Sequence, residues 1–249
     1  MPEGAIAEPL KSKPLPHFLF TEECLLHFST AMTRDELCVY LLILSGYAPR
    51  TGESKYGAKG ARDRLGMARP VFLTARDRLE RKGVIHVIDA ATKHPRTVIA
   101  SLARPFGQEE TEFADQHIYS DLNEEGPLIA LPMKLIYGDE AVPEARLESL
   151  SMLGSIRLLL WCYGRCRDDG YIRSDLMWAS MKGGKSVLKM SPKLLTEYRL
   201  DDDDVEQAGA ELFDSELLIP SGEADDKGRG KMWLRFVVES PESGTGIHK

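Results

Sequence analysis

Residues 57–85 read GAKGARDRLGMARPVFLTARDRLERKGVI, and the punctuation of this stretch decides the fold. Its first part, Ala58 to Leu65, has helical spacing, with Ala61 and Leu65 four residues apart on one face. Gly66 breaks that helix and Met67 plugs the turn. Pro70 fits the first position of a second helix, where its missing N–H costs nothing. Phe72, Ala75 and Leu79, at i, i+3 and i+7, give the second helix one apolar face and carry it to about Lys82. Gly83 stops it at the C′ position, and Val84-Ile85 opens a strand.

The same reading extends in both directions. Upstream, Thr33 is an N-cap with Glu36 three residues later, the signature of a capping box. The run LCVYLLILSGY (37–47) is apolar almost all round and predicts a buried first helix. Arg50 to Ser54, with Gly52, form a polar turn region. Downstream, VIHVID (84–89) and RTVIASL (96–102) are two strands separated by AATKHP, which makes a hairpin.

The pairs Leu65-Gly66, Ala68-Arg69 and Leu79-Glu80, with Gly83-Val84-Ile85, resemble the helix–turn–helix and wing of bacterial winged-helix DNA-binding proteins. With the first helix and the hairpin the resemblance spans about a third of the chain. It implies a recognition helix laid in the major groove of duplex DNA. With Phe72, Ala75 and Leu79 inward, Arg69, Leu73, Thr74, Asp77 and Arg78 are left outward or flanking. Arginine pairs bidentately with guanine, and threonine contacts a base edge or a thymine methyl. Lys59, Arg62 and Arg64 on the preceding helix would lie near phosphates, which position without specifying. Lys93, His94 and Arg96, at the wing tip, would reach the backbone or an adjacent minor groove. Arg76 falls where the family is usually apolar, which implies a rotated helix or a side chain that snorkels outward.

Charge distribution agrees with this division. The 249 residues carry a net charge of −7, yet residues 33–105 alone carry +7 and residues 106–249 carry −12. Such asymmetry points to one module that faces nucleic acid and one that does not. No apolar run is long enough for a transmembrane helix. The opening MPEGAIAEPLKSKPLPHF lacks the basic and apolar regions of a secretory signal, so a cytoplasmic location is expected. The four cysteines, Cys24, Cys38, Cys162 and Cys166, form no CxxC pair and fit reduced thiols.

The second half repeats the first in weaker form. SMLGSIRLLLWCYGRC (151–166) is an apolar helix, and GYIRSDLMW (170–178) suggests a short strand and then a helix. Asp201–Asp204 open another helix, with Val205, Ala208, Leu212 and Glu216 at helical spacing. SGEADDKGRGK then links two strands. The distance from first helix to hairpin is longer here by roughly 15 residues. The expected fold is α+β, mainly helical, with two tandem winged-helix modules, the second degenerate. Residues 1–32 are a flexible segment with a short helix, 33–105 the DNA-binding module, 106–127 an acidic connector, 128–240 the second module, and 241–249 a disordered tail.

The second module's recognition helix would carry Asp201 to Asp204, Glu206 and Glu211, which repel phosphates. Dimerisation or docking of a protein partner suits it better, with Lys182, Lys185, Lys189 and Lys193 as a separate basic strip. ASMKGGKS (179–186) resembles a phosphate loop but lacks its first glycine, so a flexible basic loop is expected. Acidic residues at a helix start are favoured by the dipole without any ion. Cys162 and Cys166, at i and i+4, have no partners to complete a zinc site. The six histidines form no constellation with a nucleophile, so no catalytic site, metal or cofactor is expected. The functional expectation is a transcriptional regulator binding duplex DNA as a homodimer on a palindromic site. The alternatives are a plasmid or phage replication initiator with tandem winged helices, and a tandem winged-helix partner subunit of a chromosome-condensing complex.

Overall fold

Strand β1 (His17–Thr21) opens the computed structural model, which describes residues 17–21, 32–48, 53–88, 96–99, 128–166, 170–198 and 200–237. These five residues lie in the segment for which the sequence suggested flexibility and a short helix, and they form a strand, while residues 1–16 and 22–31 lie outside the described residues. Helix α1 (Arg34–Ser45) begins as its sequence prescribes. The Glu36 N–H donates to Thr33 Oγ1 at 3.3 Å and the Thr33 N–H donates to Glu36 Oε2 at 2.8 Å. Both halves of the capping box are therefore made, and orphan N–H groups of the first turn are satisfied. Every residue from Glu36 to Ser45 is buried, as an all-round apolar helix requires.

Two short strands follow, β2 (Tyr47–Ala48) and β3 (Glu53–Ser54), the latter within the stretch read as a polar turn. Helix α2 (Ala58–Leu65) ends at Gly66, whose φ of 57° lies in the left-handed region. That conformation lets the Met67 N–H donate back to the Ala61 carbonyl at 3.2 Å and turns the chain sharply. Helix α3 (Arg69–Arg81) starts one residue earlier than expected, so Pro70 is its second residue rather than its first. Its ring still sits in the first turn, where no intrahelical acceptor is lost. Phe72, Ala75 and Leu79 are buried as their spacing dictates. Full burial of Phe72 and Leu79 contributes about 1.5–3 kcal/mol each.

Strands β4 (Ile85–Ile88) and β5 (Arg96–Ile99) complete an antiparallel sheet in the order β2-β3-β5-β4. The short β3 pairs with the last strand, Glu53 opposite Val98, so the sheet is closed by a strand from between the first two helices.

Strand β6 (Leu128–Pro132) then pairs antiparallel with β1, His17 opposite Pro132. Helix α4 (Lys134–Tyr137) and a 3-10 turn at Leu147–Ser149 lead into helix α5 (Leu153–Arg165). Leu135, Ile136, Leu147 and Leu150 are buried in the same apolar cluster as α1. Arg34 Nε donates to the Leu150 carbonyl at 2.7 Å, and the Tyr56 and Tyr137 hydroxyls share a hydrogen bond of 2.6 Å. Residues 133–150 thus strap the second half onto α1 and α2. One continuous core results.

The second half carries β7 (Tyr171–Ile172), β8 (Met177–Lys182), β9 (Lys185–Met190), α6 (Pro192–Tyr198), α7 (Asp202–Asp214), β10 (Leu218–Ala224) and β11 (Gly230–Leu234). Here the structure corrects two expectations. Residues from Met177 onward are a strand, not a helix, and ASMKGGKS is a tight hairpin, not a flexible loop. Met177 and Ala179 are buried while Trp178 and Ser180 are half-buried, the period of two that marks a strand. Gly183 and Gly184 have φ of 60° and 80°, and a two-residue I′ turn needs positive φ at both positions. The β8–β9 hairpin sits between β7 and α6, which accounts for the longer spacing in this half. Outside it the order of elements repeats that of residues 34–99, except that β2 has no counterpart strand. β7 pairs with β11 as β3 pairs with β5.

The chain is α+β, with antiparallel sheets and more helical than strand residues among those described. Among the described residues, no helix is long and apolar enough to cross a membrane.

Candidate nucleic-acid interface

Helix α3 presents its solvent face between two carboxylates that fix its orientation. At its C-terminal end, Lys82 Nζ donates to Glu36 Oε2 at 2.6 Å, and Arg78 approaches the other oxygen at 4.0 Å. The Glu36 side chain is only 2% exposed. Burial pushes its carboxyl up, but the Lys82 and Thr33 hydrogen bonds, with the Lys82 and Arg78 charges, hold it below the usual range. On the opposite side, Glu80 Oε1 accepts from the Val87 N–H at 2.9 Å. That bond ties α3 to β4 and occupies a backbone donor on an edge strand. Both carboxylates hold the helix by salt bridges or hydrogen bonds. A slip of α3 along its axis breaks both.

The exposed face of α3 consists of Arg69, Pro70, Val71, Thr74, Asp77, Arg78 and Arg81. Three of the side chains expected from sequence to read bases, Arg69, Thr74 and Arg78, are on it. Two are not. Leu73 is half-buried against the core rather than outward. Arg76 has a side chain only 13% exposed and binds Asp77 Oδ1 at 2.8 Å, so it neither rotates the helix nor points to solvent. Its own neighbour neutralises its charge. Val71 and Arg81 were missed, although residues 71, 74, 78 and 81 fall on one stripe by helical periodicity.

On α2, Lys59 is exposed, and Arg62 pairs with Asp63 at 3.2 Å while keeping 69% of its side chain exposed. The Arg64 guanidinium stacks over the Tyr137 ring, 4.6 Å from its centroid, so the strap of residues 133–150 engages a side chain assigned from sequence to phosphate. Lys93 and His94 lie outside the described residues. Arg96 is described only in its backbone, opposite Ile88 on β5.

Between the start of α1 and the exposed face of α3 lies an open groove of about 290 Å³, lined by Thr33, Asp35, Pro70, Val71, Thr74, Ala75 and Arg78. One cation, one anion and a short apolar wall meet there. In the second half the corresponding helix is acidic. Asp202, Asp203 and Asp204 are exposed, and Asp201 caps the helix by accepting from the Asp204 N–H at 2.7 Å. Glu206 accepts from Lys182 at 2.8 Å and from Lys189 at 2.6 Å. Half of the basic strip expected from sequence is therefore paired to α7. Only the hairpin register, unreadable from spacing, brings those lysines to it.

Among the described residues no group of three His, Cys, Asp or Glu side chains gathers to hold a metal ion. Cys38 and Cys162 are buried thiols, and burial pushes that of Cys38 up to about 11. Comparison of the chain with family models, with curated proteins and with solved structures finds no match.

Proposed function

We propose that residues 33–99 form a winged helix that binds duplex DNA in a sequence-specific manner, with α3 in the major groove. The observation that carries this reading is the exposed stripe of α3. Arg78 and Arg81 with Val71 and Thr74 form the stripe, and Arg69, Pro70 and Asp77 complete the exposed face of a helix whose opposite face is anchored in the core and whose sides are held by Glu36 and Glu80. Arginine and threonine on such a stripe match the donor pattern of guanine and the methyl or acceptor edge of other bases. The net positive charge of this region supplies the attraction to phosphate.

The simplest biological version is a transcriptional regulator that binds a palindromic site as a homodimer. The second half then supplies self-association or docks a protein partner, because the exposed aspartates of α7 repel phosphate. Replication initiation is a second reading, favoured by one observation. The order of helix, strand, helix pair and hairpin in residues 34–99 recurs, with its strand pairing, in residues 153–234. Two such modules in one chain suit repeated sites at an origin.

Selection of bound fragments from random duplex DNA tests the proposal. A short recurring site is expected, symmetric for the regulator and repeated in tandem for the initiator. Arg69→Ala combined with Arg78→Ala is expected to abolish the sequence preference while leaving weak, salt-sensitive binding. Unchanged footprints in that double variant would remove α3 as the reading element.

A further inference from the structure

We infer that the notch formed by Pro70, Val71 and Thr74 on α3 reads the 5-methyl group of a thymine. The inference rests on the reading of α3 as a DNA-facing helix and adds the base feature it recognises. Val71 is 39% exposed, and among the described residues only one other large hydrophobic side chain, Met181, is exposed. Among the described residues Val71 is not one of those packed against the apolar core. A β-branched residue is a poorer helix former than the straight-chain residues an exposed position ordinarily carries, so local structure does not explain it either.

Its surroundings select the ligand. Val71 lies in the first turn of α3, and in the helix–turn–helix docking mode residues near the N-terminus of the recognition helix contact base edges. The groove it lines carries Asp35 on one wall, and Asp77 lies nearly two turns further along the helix, outside the groove. Each carboxylate is paired with a neighbouring arginine, so the notch carries little net charge and suits a base edge better than a phosphate, while the exposed Arg69 and Arg81 supply positive charge on the same helix. The one apolar feature that a base pair displays in the major groove is the thymine methyl. Arg78, at the far rim of the same groove, is placed for guanine in a neighbouring pair.

The test uses the full chain and the site obtained by selection from random duplex DNA. Each thymine is replaced in turn by deoxyuridine, which deletes the methyl and preserves pairing. At one thymine, the replacement is expected to weaken binding about fourfold, the worth of one buried methyl-sized group. Val71→Ala is expected to bind thymine and deoxyuridine duplexes equally at that position, with an unchanged salt slope and a melting temperature no lower than that of the wild type. A site without such a thymine, or a Val71→Ala protein that keeps the discrimination, overturns the notch and leaves DNA binding standing. Absence of any salt-sensitive duplex binding in the wild type overturns the DNA reading itself, and the notch with it.

Discussion

Glu36→Ala is the most demanding single perturbation of this molecule. The carboxylate accepts a backbone N–H at the start of α1 and an ammonium from the end of α3, and it is almost wholly buried. A hydrogen bond to a charged acceptor contributes about 1.5–3 kcal/mol. The Lys82 side chain remains 31% exposed. Water takes its place when the partner is removed, so the ion pair adds only about 1 kcal/mol. The expected loss is therefore about 3 kcal/mol, a large share of the stability of an ordinary domain. Glu36→Gln keeps an oxygen for the Thr33 N–H and should lose only about 1 kcal/mol. Urea unfolding of the full chain, followed by circular dichroism, measures both. The carboxyl is held below its ordinary value of 4.5. Its contribution is complete above that value and disappears as pH falls through the lower, folded one. The gap between wild type and Glu36→Gln should thus narrow on acidification. A Glu36→Ala loss under about 0.5 kcal/mol, the size of a neutral surface change, would refute the account of Glu36 as the pin between α1 and α3.

Two further expectations concern the packing that carries α3 and α7. Glu80→Ala frees the Val87 N–H on an edge strand, so amide exchange at Val87 should rise while Phe72 and Leu79 stay protected; unchanged exchange there would contradict the bond. Gly209→Ala should destabilise despite the roughly 1 kcal/mol that alanine gains over glycine in a helix. A Cβ at Gly209 would come within 2.3 Å of Leu188 Cβ on β9, so strand and helix must separate, at about 1–3 kcal/mol beyond that gain. A higher melting temperature for Gly209→Ala would show that α7 does not press on the hairpin so closely.

The parts of this fold legible in the sequence are those decided by local rules. Thr33 and Glu36 cap α1 because hydroxyl and carboxylate lie one turn apart. Gly66 stops α2 because the next N–H must turn back. Phe72, Ala75 and Leu79 bury one side of α3 because 3.6 residues make a turn. Those rules are short-ranged, so no tertiary context was needed to apply them.

What they did not reach was decided between segments distant in the chain. The β8–β9 hairpin was misread because its lysines and glycines look like a loop until a sheet offers β8 a neighbour. The spacing leaves Leu73 outward or flanking, and it is the packed core that shows it flanking, because the apolar stripe of α3 is wider than the i, i+3, i+7 pattern. Arg76 withdraws from the surface because Asp77 satisfies it there. Arg64 stays exposed but stacks over Tyr137, a residue 73 positions away. Residues 57–85 by themselves determined that a helix pair joined by a turn and followed by the start of a strand would form, since each signal lies within a few residues of its effect. Which of those side chains remain free for a ligand was settled only by the strap, the core and the buried carboxylates, because burial and charge pairing are properties of neighbours in space.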